Sequence, residues 1–239
     1  MLAKRTKRSI VAALGGLLLL GTVLFLMSAT AEEATYVGSE TCMTCHQDKY
    51  DDFKASGHPY KLRLAEAART AGIPKPDYVS WDDILFVIGG FGWKARYIGQ
   101  DGYIITQSKD GKIKGQNQFN LETEQFVDYH AGEKKAYNCG KCHTTGYGEP
   151  GGFESMEKTP GLANVQCEAC HGAGSGYRSP KIMSVKAYKA DREAAHKAVL
   201  EAGLIIPDEK TCTKCHNEES PFYKPFNFAE YKEKIKHWK

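Results

Sequence analysis

Apolar and polar positions change their pattern twice along the chain. An apolar stretch from Ile10 to Met27, interrupted only by glycines and one threonine, follows a basic start and ends in Ala29-Thr30-Ala31. Basic, apolar and small-residue regions in this order predict a secretory signal peptide over residues 1–31. The run is also close to spanning length, so an uncleaved N-terminal anchor is the alternative. Either way, we expect residues 32–239 on the exported side of a membrane.

A second change of pattern, between residues 79 and 120, indicates β-strands. Residues 84–88 form a continuous apolar run before two glycines. The stretches 93–98 and 103–107 are rich in aromatic and β-branched residues and flank an Asp-Gly pair, which is a hairpin signal. A further pair, Asp110-Gly111, predicts another turn. We therefore predict a small antiparallel β insertion at about residues 79–120.

The pattern on both sides of this insertion favours short helices joined by loops. Residues 47–72 carry apolar positions at helical spacing, supplied by Tyr50, Phe53, Leu62 and Leu64, with an interruption at residues 57–59. From residue 121 onward the chain is also expected to form helices and loops. The predicted fold class is mainly α, with a single domain at residues 32–239 that contains the β insertion.

All eight cysteines occur in four C-x-x-C pairs, and a histidine follows each pair at once. The pairs are Cys42/Cys45, Cys139/Cys142, Cys167/Cys170 and Cys212/Cys215, followed by His46, His143, His171 and His216. C-x-x-C-H is the attachment signature of c-type haem, in which two thiols form thioethers and the histidine binds iron. Two intervening residues let one helical turn present both sulfurs to one porphyrin edge. The chain is predicted to carry four covalently bound haems.

Other uses of paired cysteines fit this pattern poorly. A thioredoxin-type C-x-x-C normally occurs once and needs no histidine after it. A zinc ribbon places two C-x-x-C units over one metal and has no need for a histidine after every pair. Disulfides are common in small exported proteins, but they would not preserve the two-residue gap four times.

The number of histidines matches the number of iron positions that are left to fill. Four histidines lie outside the motifs: His58, His130, His196 and His237. Four irons have four sixth positions, so the count predicts bis-histidine ligation throughout. An ordinary surface histidine is the alternative, above all for His196 on a polar helix face. Methionine is too scarce in residues 32–239 to be the sixth ligand of all four irons, and histidine ligation favours lower reduction potentials.

Composition restricts the partners and the core. Removal of residues 1–31 takes away four basic residues and no acidic ones, so the formal net charge changes from +3 to −1. The basicity therefore does not indicate a nucleic-acid partner. One haem per roughly fifty residues leaves little protein around each haem. Together with a mean hydropathy of −0.48, this predicts that stacked haems form the core.

Several stretches of the chain resemble the exported tetrahaem cytochromes of the cytochrome c-554 type. They are residues 36–42, 140–147 and 166–172, and the tail at residues 215–217, 226–228 and 235–237 is also similar. The resemblance implies a mainly α-helical fold around closely stacked haems. It also implies that His58 binds the iron of the third motif, His237 that of the fourth and His196 that of the first. His130 precedes the second motif and could close an iron whose second face is open in the family.

These features predict electron transfer by an exported protein that is not an enzyme. Its partners would be redox proteins or extracellular acceptors, and its location the periplasm or the cell surface. Some similar proteins polymerise into extracellular electron-conducting filaments, at times with a histidine donated by the neighbouring subunit, so self-assembly is one alternative. A nitrogen-oxide reductase with one open haem is the other. A membrane is an expected partner only if the N-terminal segment stays uncleaved.

Overall fold

Seven short strands in the first half of the described chain form one antiparallel sheet. The computed structural model describes residues Glu33 to His237, and the predicted signal peptide or anchor lies outside these residues. The strands are β1 (Leu62–Leu64), β2 (Ile84–Gly89), β3 (Lys94–Gly99), β4 (Tyr103–Ile104), β5 (Gln118–Asn120), β6 (Gln125–Val127) and β7 (Lys135–Ala136). Their order is β1-β2-β3-β4-β7, and β5 pairs with both β3 and β6.

Nine α-helices lie between residues 33 and 237, and none is longer than ten residues. They are α1 (Ser39–Met43), α2 (Gln47–Lys54), α3 (Ala65–Thr70), α4 (Gly140–His143), α5 (Cys167–His171), α6 (Val185–Ala190), α7 (Arg192–Glu201), α8 (Glu209–Thr213) and α9 (Phe228–Ile235). Within this range no helix is long and apolar enough to cross a membrane. The fold is therefore mixed α and β, which corrects the expectation of a mainly α fold.

The β insertion extends beyond both ends of the predicted residues 79–120. The predicted hairpin is present, since Ile98 pairs with Ile104 and Gly102 lies at its turn with a φ of 78°. However, Leu62 and Leu64, which were expected in a helix, form β1. Leu62 lies opposite Ile88 in β2, and this apolar partner favours the strand over the helix that spacing alone indicated. The strands β6 and β7 likewise fall in a segment that was expected to be helical.

The two faces of the sheet hold the hydrophobic core of the described residues. Val87 and Tyr97 pair with each other and lie fully buried on one face. Phe86 and Ile98 pair on the other face, where Ala163 and Tyr137 from the region of the second and third motifs pack against them. The second face therefore positions the sheet against the haem motifs.

The helical segments lack a comparable core of their own. Large apolar side chains such as Val185, Ile205 and Ile206 are exposed there. Burial of apolar surface is the main stabilising contribution in a folded domain, so this part of the chain depends on additional apolar material.

Candidate haem-binding sites

Each C-x-x-C-H motif lies on a short helix or directly beside its end. In the first motif the amide nitrogen of His46 donates to the carbonyl oxygen of Cys42 at 3.0 Å, and His216 does the same to Cys212 in the fourth. The helices α4 and α5 contain most of the second motif and the whole of the third. All eight cysteines are free thiols.

The two cysteines of the first motif differ in their surroundings. Cys42 is half-buried and lines a cavity between the motifs, whereas Cys45 is exposed and does not line it. The reason is local, because α1 ends at Met43 and Cys45 follows in the turn beyond it. The Cys45 sulfur accepts a hydrogen bond from the neighbouring Thr44 hydroxyl at 3.8 Å. The structure therefore does not bring Cys45 into the cavity with its partner thiol.

Cys139 of the second motif is exposed in the same way as Cys45. It lies just before the start of α4, outside the helical turn that contains Cys142. A thioether to haem needs both sulfurs of a motif at one porphyrin edge, so haem attachment at Cys45 and Cys139 stays a prediction from the motif. An apolar ring attached there would cover both sulfurs.

The first and third motifs are locked together by a buried carboxylate. Glu168, which lies between the two cysteines of the third motif, is only 1 % exposed. Its oxygens accept hydrogen bonds from the amides of Val37 at 2.9 Å, Gly38 at 2.7 Å and Gly174 at 2.6 Å. A carboxylate that only accepts is in its ionised form. The segment before Cys42 is therefore held against the third motif by charge-assisted bonds.

A second set of contacts strengthens the same junction. The hydroxyl of Ser39 accepts from the amide of Cys167 at 3.1 Å, and the Gln166 side chain accepts from the amide of Ser39 at 2.8 Å. The Cys42 thiol donates to the carbonyl oxygen of Gly38 at 4.0 Å, and Cys42 and Cys167 both line one cavity. These thiols stand where the thioether sulfurs of two haems would be. The two attachment sites are therefore adjacent.

The fourth motif lies next to both the third and the second. The thiol of Cys215 donates to the carbonyl oxygen of Lys141, within the second motif, at 3.9 Å. Cys212 lines the same cavity as Cys170 of the third motif. On the surface Lys141 forms an ion pair with Glu219 at 2.5 Å. In space, therefore, the motifs follow the order first, third, fourth, second.

A cavity of ≈110 Å³ opens between these motifs. Its walls are mostly apolar, and the cysteines and histidines along it are Cys42, His46, His58, Cys167, Cys170, His171, Cys212 and His237. A larger cavity of ≈530 Å³ lies in the sheet region, along residues 99–109 and 132–134, and none of the predicted site residues lines it. The smaller cavity is the one that brings the predicted chemistry together.

Two pairs of histidine rings have the separation that a shared iron requires. The ring centres of His171 and His237 are 5.9 Å apart, and those of His58 and His216 are 6.2 Å apart. An imidazole nitrogen binds a transition metal at about 2 Å, and the ring centre lies about 1 Å further back. Two imidazoles on opposite sides of one iron therefore have ring centres about 6 Å apart. Each pair contains one motif histidine and one histidine from outside the motifs.

A backbone carbonyl oxygen lies beside Nδ1 of each ring in the first of these pairs. Nδ1 of His171 lies 3.0 Å from the carbonyl oxygen of Ile205, and Nδ1 of His237 lies 3.1 Å from that of Ile235. A carbonyl acceptor at Nδ1 favours the tautomer in which Nε2 carries the metal-binding lone pair. These contacts are typical of metal-binding histidines.

The pairing differs from the one that the family resemblance implied. The resemblance placed His58 over the third motif and His237 over the fourth. The structure brings His237 to His171 and the ring of His58 to His216. His58 also lines the cavity that contains His171, so it lies between the third and fourth motifs.

The second motif has a different environment, because the β-sheet covers it. The hydroxyl of Tyr137, which follows β7, lies 2.9 Å from Nδ1 of His143. Burial lowers the pKa of His143 to about 4, and the nearby cations Lys61 and Arg96 contribute to the shift. Burial and Lys61 likewise lower the pKa of His58 to about 4. Both rings are therefore neutral near pH 7, which is the form that binds iron.

His130 does not contact the second motif histidine. It has a left-handed backbone with a φ of 50°, and its Nδ1 lies 2.7 Å from the Glu133 carboxylate. Its ring packs edge-on against Tyr129, and the ring contacts within residues 33–237 include none between His130 and His143.

His196 and His46 are also not brought into a ring pair with each other. His196 is exposed on α7. His46 is half-buried and lines the cavity beside Cys42. The structure thus brings together two pairs of motif and non-motif histidines, and neither is a pair that the family resemblance implied.

The donor set fits haem. Four pairs of thiols lie on or beside short helices, two pairs of imidazoles have ring centres about 6 Å apart, and apolar side chains of the helical segments are exposed. Haem c needs thiols for its attachment, imidazoles for its iron and apolar surroundings for its ring. These residues supply all three.

Sequence reasoning overlooked several residues around the motifs. Tyr137, Lys61 and Arg96 have no motif of their own, because they reach the second motif from the sheet. The position of Glu168 between two cysteines that are predicted to bind haem was a signal in the sequence. A buried carboxylate is costly without hydrogen-bond partners, so such partners could have been expected around it.

Comparisons with known proteins agree with these observations. Residues 106–172 match the family "Cytochrome c554 and c-prime". Cytochrome c-554 of Nitrosomonas europaea is 33% identical over 98 residues, which are 37% of this chain and 42% of that protein. An uncharacterized protein of Archaeoglobus fulgidus is 25% identical over 195 residues, which are 76% of this chain and 59% of that protein. The chain therefore spans less than two thirds of the length of either relative.

A solved structure with a related outline is an undecahaem cytochrome from the S-layer of Carboxydothermus ferrireducens. It overlaps 80% of this chain and 26% of its own, with a TM-score of 0.48 and 21% sequence identity. The motifs, the family match and the c-554 relative together confirm the predicted resemblance. Over residues 106–172 the chain therefore resembles the cytochrome c554 family, and its four C-x-x-C-H motifs are of the kind that binds haem c covalently.

Proposed function

We propose that this chain is an exported tetrahaem electron carrier with histidines on both faces of its irons. The observation that carries the proposal is the pair of imidazole separations, 5.9 Å for His171 and His237 and 6.2 Å for His58 and His216. The haem, when bound, supplies a one-electron iron couple. The chain attaches it, ligates it and keeps water from it.

The ligation scheme follows from these pairs and from the count of histidines. His171 and His237 bind the iron of the third motif, and His216 and His58 bind that of the fourth. His196 is then assigned to His46 of the first motif. His130 is assigned to His143 of the second, which requires the ring to leave Glu133 and turn.

Iron that is ligated on both faces favours electron transfer over catalysis. A substrate needs an open coordination position, whereas an electron needs only a short path between redox centres. The hydrogen bonds from Cys167 to Ser39 and from Cys215 to Lys141 support short distances between neighbouring attachment sites. The chain would therefore conduct electrons along the row of motifs without acting as an enzyme. We infer that redox proteins or extracellular acceptors exchange these electrons outside the cytoplasm.

The ligation scheme is tested by electron paramagnetic resonance (EPR) of the oxidised, haem-loaded protein. Mass spectrometry should give four haems per chain, and the spectrum should show low-spin haems with two histidine ligands. His237→Ala and His58→Ala should each convert one haem to the high-spin form. Lys236→Ala, beside His237 and exposed, is the matched control and should leave the spectrum unchanged.

The spectrum also decides whether the second iron is open. If His130 stays with Glu133, the wild-type protein will show one high-spin haem and will bind nitric oxide without loss of a ligand. That result would replace the closed carrier with the nitrogen-oxide reductase as the leading function.

The exposure of His196 favours one second candidate, a subunit of an electron-conducting filament. Because its ring lies on the surface of α7, it could bind the first iron of a neighbouring subunit. In that case dilution would separate the subunits and convert one haem per chain to the high-spin form. Electron microscopy and size-exclusion chromatography at several concentrations would show filaments, whereas a monomeric carrier would elute unchanged.

A further inference from the structure

Charged side chains with little solvent exposure lie beside the haem motifs, with opposite signs at opposite ends of the row. The row runs first, third, fourth, second. The amide of Cys167 donates to the Ser39 hydroxyl at 3.1 Å, Cys170 and Cys212 line one cavity, and the Cys215 thiol donates to the Lys141 carbonyl oxygen at 3.9 Å. Buried charges act over several ångströms because the surrounding dielectric constant is low and salt screens them little.

The end formed by the first and third motifs contains a buried anion. The Glu168 carboxylate is 1 % exposed and lies within the third motif. Through its 2.7 Å bond to the amide of Gly38, it also lies beside the segment that leads into Cys42. The three amide donors stabilise its ionised form, but they carry no net charge, so one negative charge persists between the two attachment sites.

The end formed by the second motif contains two cations. Arg96 projects from β3 on the sheet face that packs against Tyr137, the partner of His143. Its guanidinium stacks 3.6 Å from the ring centre of Tyr129 and donates to the Gln118 side chain at 2.8 Å. Both of these partners are neutral, so the charge of Arg96 is not cancelled by them.

Lys61 is the second cation at this end. It is half-buried between the turn that holds His58 and strand β1. Its ammonium acts electrostatically on His143, His58 and His216. The ion pairs within residues 33–237 include neither Lys61 nor Arg96.

Other charges near the motifs have less influence. Lys49 at the cavity is ion-paired with Asp48 at 2.8 Å. Asp208, Glu209 and Lys214 near the fourth motif are exposed, and water and salt screen exposed charges within about 10 Å. The negative charge of Glu168 at one end and the positive charges of Arg96 and Lys61 at the other therefore have the largest electrostatic effect on the row of motifs.

We propose that these fixed charges order the reduction potentials along the row, so that the first electron settles at the second motif and the last at the first and third motifs. An iron site loses one positive charge on reduction. A nearby cation favours the reduced site, and a nearby anion favours the oxidised one. The inference rests on the proposed carrier function and adds a direction of electron flow to it, from the first motif towards the second.

The test is a potentiometric titration of the haem-loaded protein with dithionite, followed optically and by EPR. Each iron takes up one electron from dithionite, and no bond forms or breaks. Arg96→Gln should lower the reduced fraction of the highest-potential haem about three- to tenfold at a fixed electrode potential. Arg96→Lys keeps the charge and should restore most of that fraction. Lys112→Gln removes an exposed cation, 83 % accessible at its side chain, and should change nothing.

The opposite end is tested with Glu168→Gln, which should raise the reduced fraction of the lowest-potential haem. If this variant fails to fold, Arg96→Gln and Lys61→Gln decide the question by themselves. The proposal is overturned if four haems titrate and neither cation variant acts on the highest-potential one. Fewer than four titrating haems in the wild-type protein would instead overturn the proposed function.

Discussion

The hydroxyl of Tyr137 lies 2.9 Å from Nδ1 of His143, the histidine of the second motif, which we propose as an iron ligand. If Nε2 bound iron, Nδ1 would carry the proton and the phenol oxygen would accept a hydrogen bond from it. Burial raises the pKa of Tyr137, so the phenol stays neutral over the working range. An acceptor at this position makes the imidazole a stronger ligand, as carboxylates and carbonyls do behind other metal-binding histidines.

Tyr137→Phe should therefore raise the reduction potential of one haem and lower the free energy of unfolding. The remaining N–H of His143 loses its acceptor in a largely buried site, which costs about 1–3 kcal/mol. Redox titration and denaturant unfolding measure the two effects. Tyr147→Phe, in the same segment but 53% exposed, is the control and should change neither. An unchanged potential in Tyr137→Phe would show that this hydroxyl does not act on the iron ligand.

The junction of the first and third motifs predicts a sharp difference between two glycines. A methyl group on Gly174 would lie 2.8 Å from the Glu168 carboxylate and 2.9 Å from Val37, whereas one on Gly161 would meet nothing within 4 Å. Gly174→Ala should lower the free energy of unfolding by about 1–3 kcal/mol through overpacking. Gly161→Ala should leave it within about 0.5 kcal/mol of the wild type. Equal stability of the two variants in denaturant unfolding would contradict the packing at this junction.

Stability should fall when the solution is acidified from pH 6.5 to pH 4. Burial lowers the pKa of His58 and of His143 to about 4, against about 6.5 in an unfolded chain. Between these values the unfolded chain binds more protons, so the free energy of unfolding rises with pH. The stabilising contribution is complete above pH 6.5 and lost as the pH falls through 4. Iron ligation has the same sign, because it also requires the neutral ring.

Denaturant titrations at several pH values between 4 and 7 measure this dependence. His58→Gln removes one of the two titrating rings and should flatten the profile. If the free energy of unfolding of the wild type does not change between pH 4 and pH 7, these histidines are exposed to solvent.

The N-terminal cap of α8, the helix at the fourth motif, can be tested separately. Asp208 accepts a hydrogen bond from the amide of Thr211 at 2.9 Å, at the start of α8, which leads into Cys212. Asp208→Ala should cost about 1 kcal/mol of stability, and Asp208→Asn should recover most of it. Thermal unfolding of the haem-loaded variants provides the measurement. Equal unfolding temperatures of Asp208→Ala and Asp208→Asn would show that the cap does not contribute to stability.

The motifs could be predicted because they are local. A C-x-x-C-H motif consists of five consecutive residues, and all four motifs lie on or directly beside short helices. The hairpin at Gly102 was predictable for the same reason, since an Asp-Gly turn needs only its immediate neighbours. The exposure of Cys45 was not predictable in this way, because it depends on which side of the turn faces the rest of the molecule.

Features that depend on distant partners could not be read from the sequence. Leu62 forms a strand because Ile88 lies beside it, and nothing near Leu62 in the chain announces that partner. The pairing of His237 with His171 depends on where α9 lies, and spacing along the chain does not encode it. Arg96 likewise reaches the second motif only through the position of its strand in the sheet.

The junction held by Glu168 has a consequence for the order in which the protein matures. Val37 and Glu168 are 131 positions apart, so the bond between them forms only after most of the chain has been made. A newly made segment around Cys42 therefore stays open while the following residues emerge. If haem is attached at Cys42 as we propose, this delay would leave that thiol accessible until the third motif has been made.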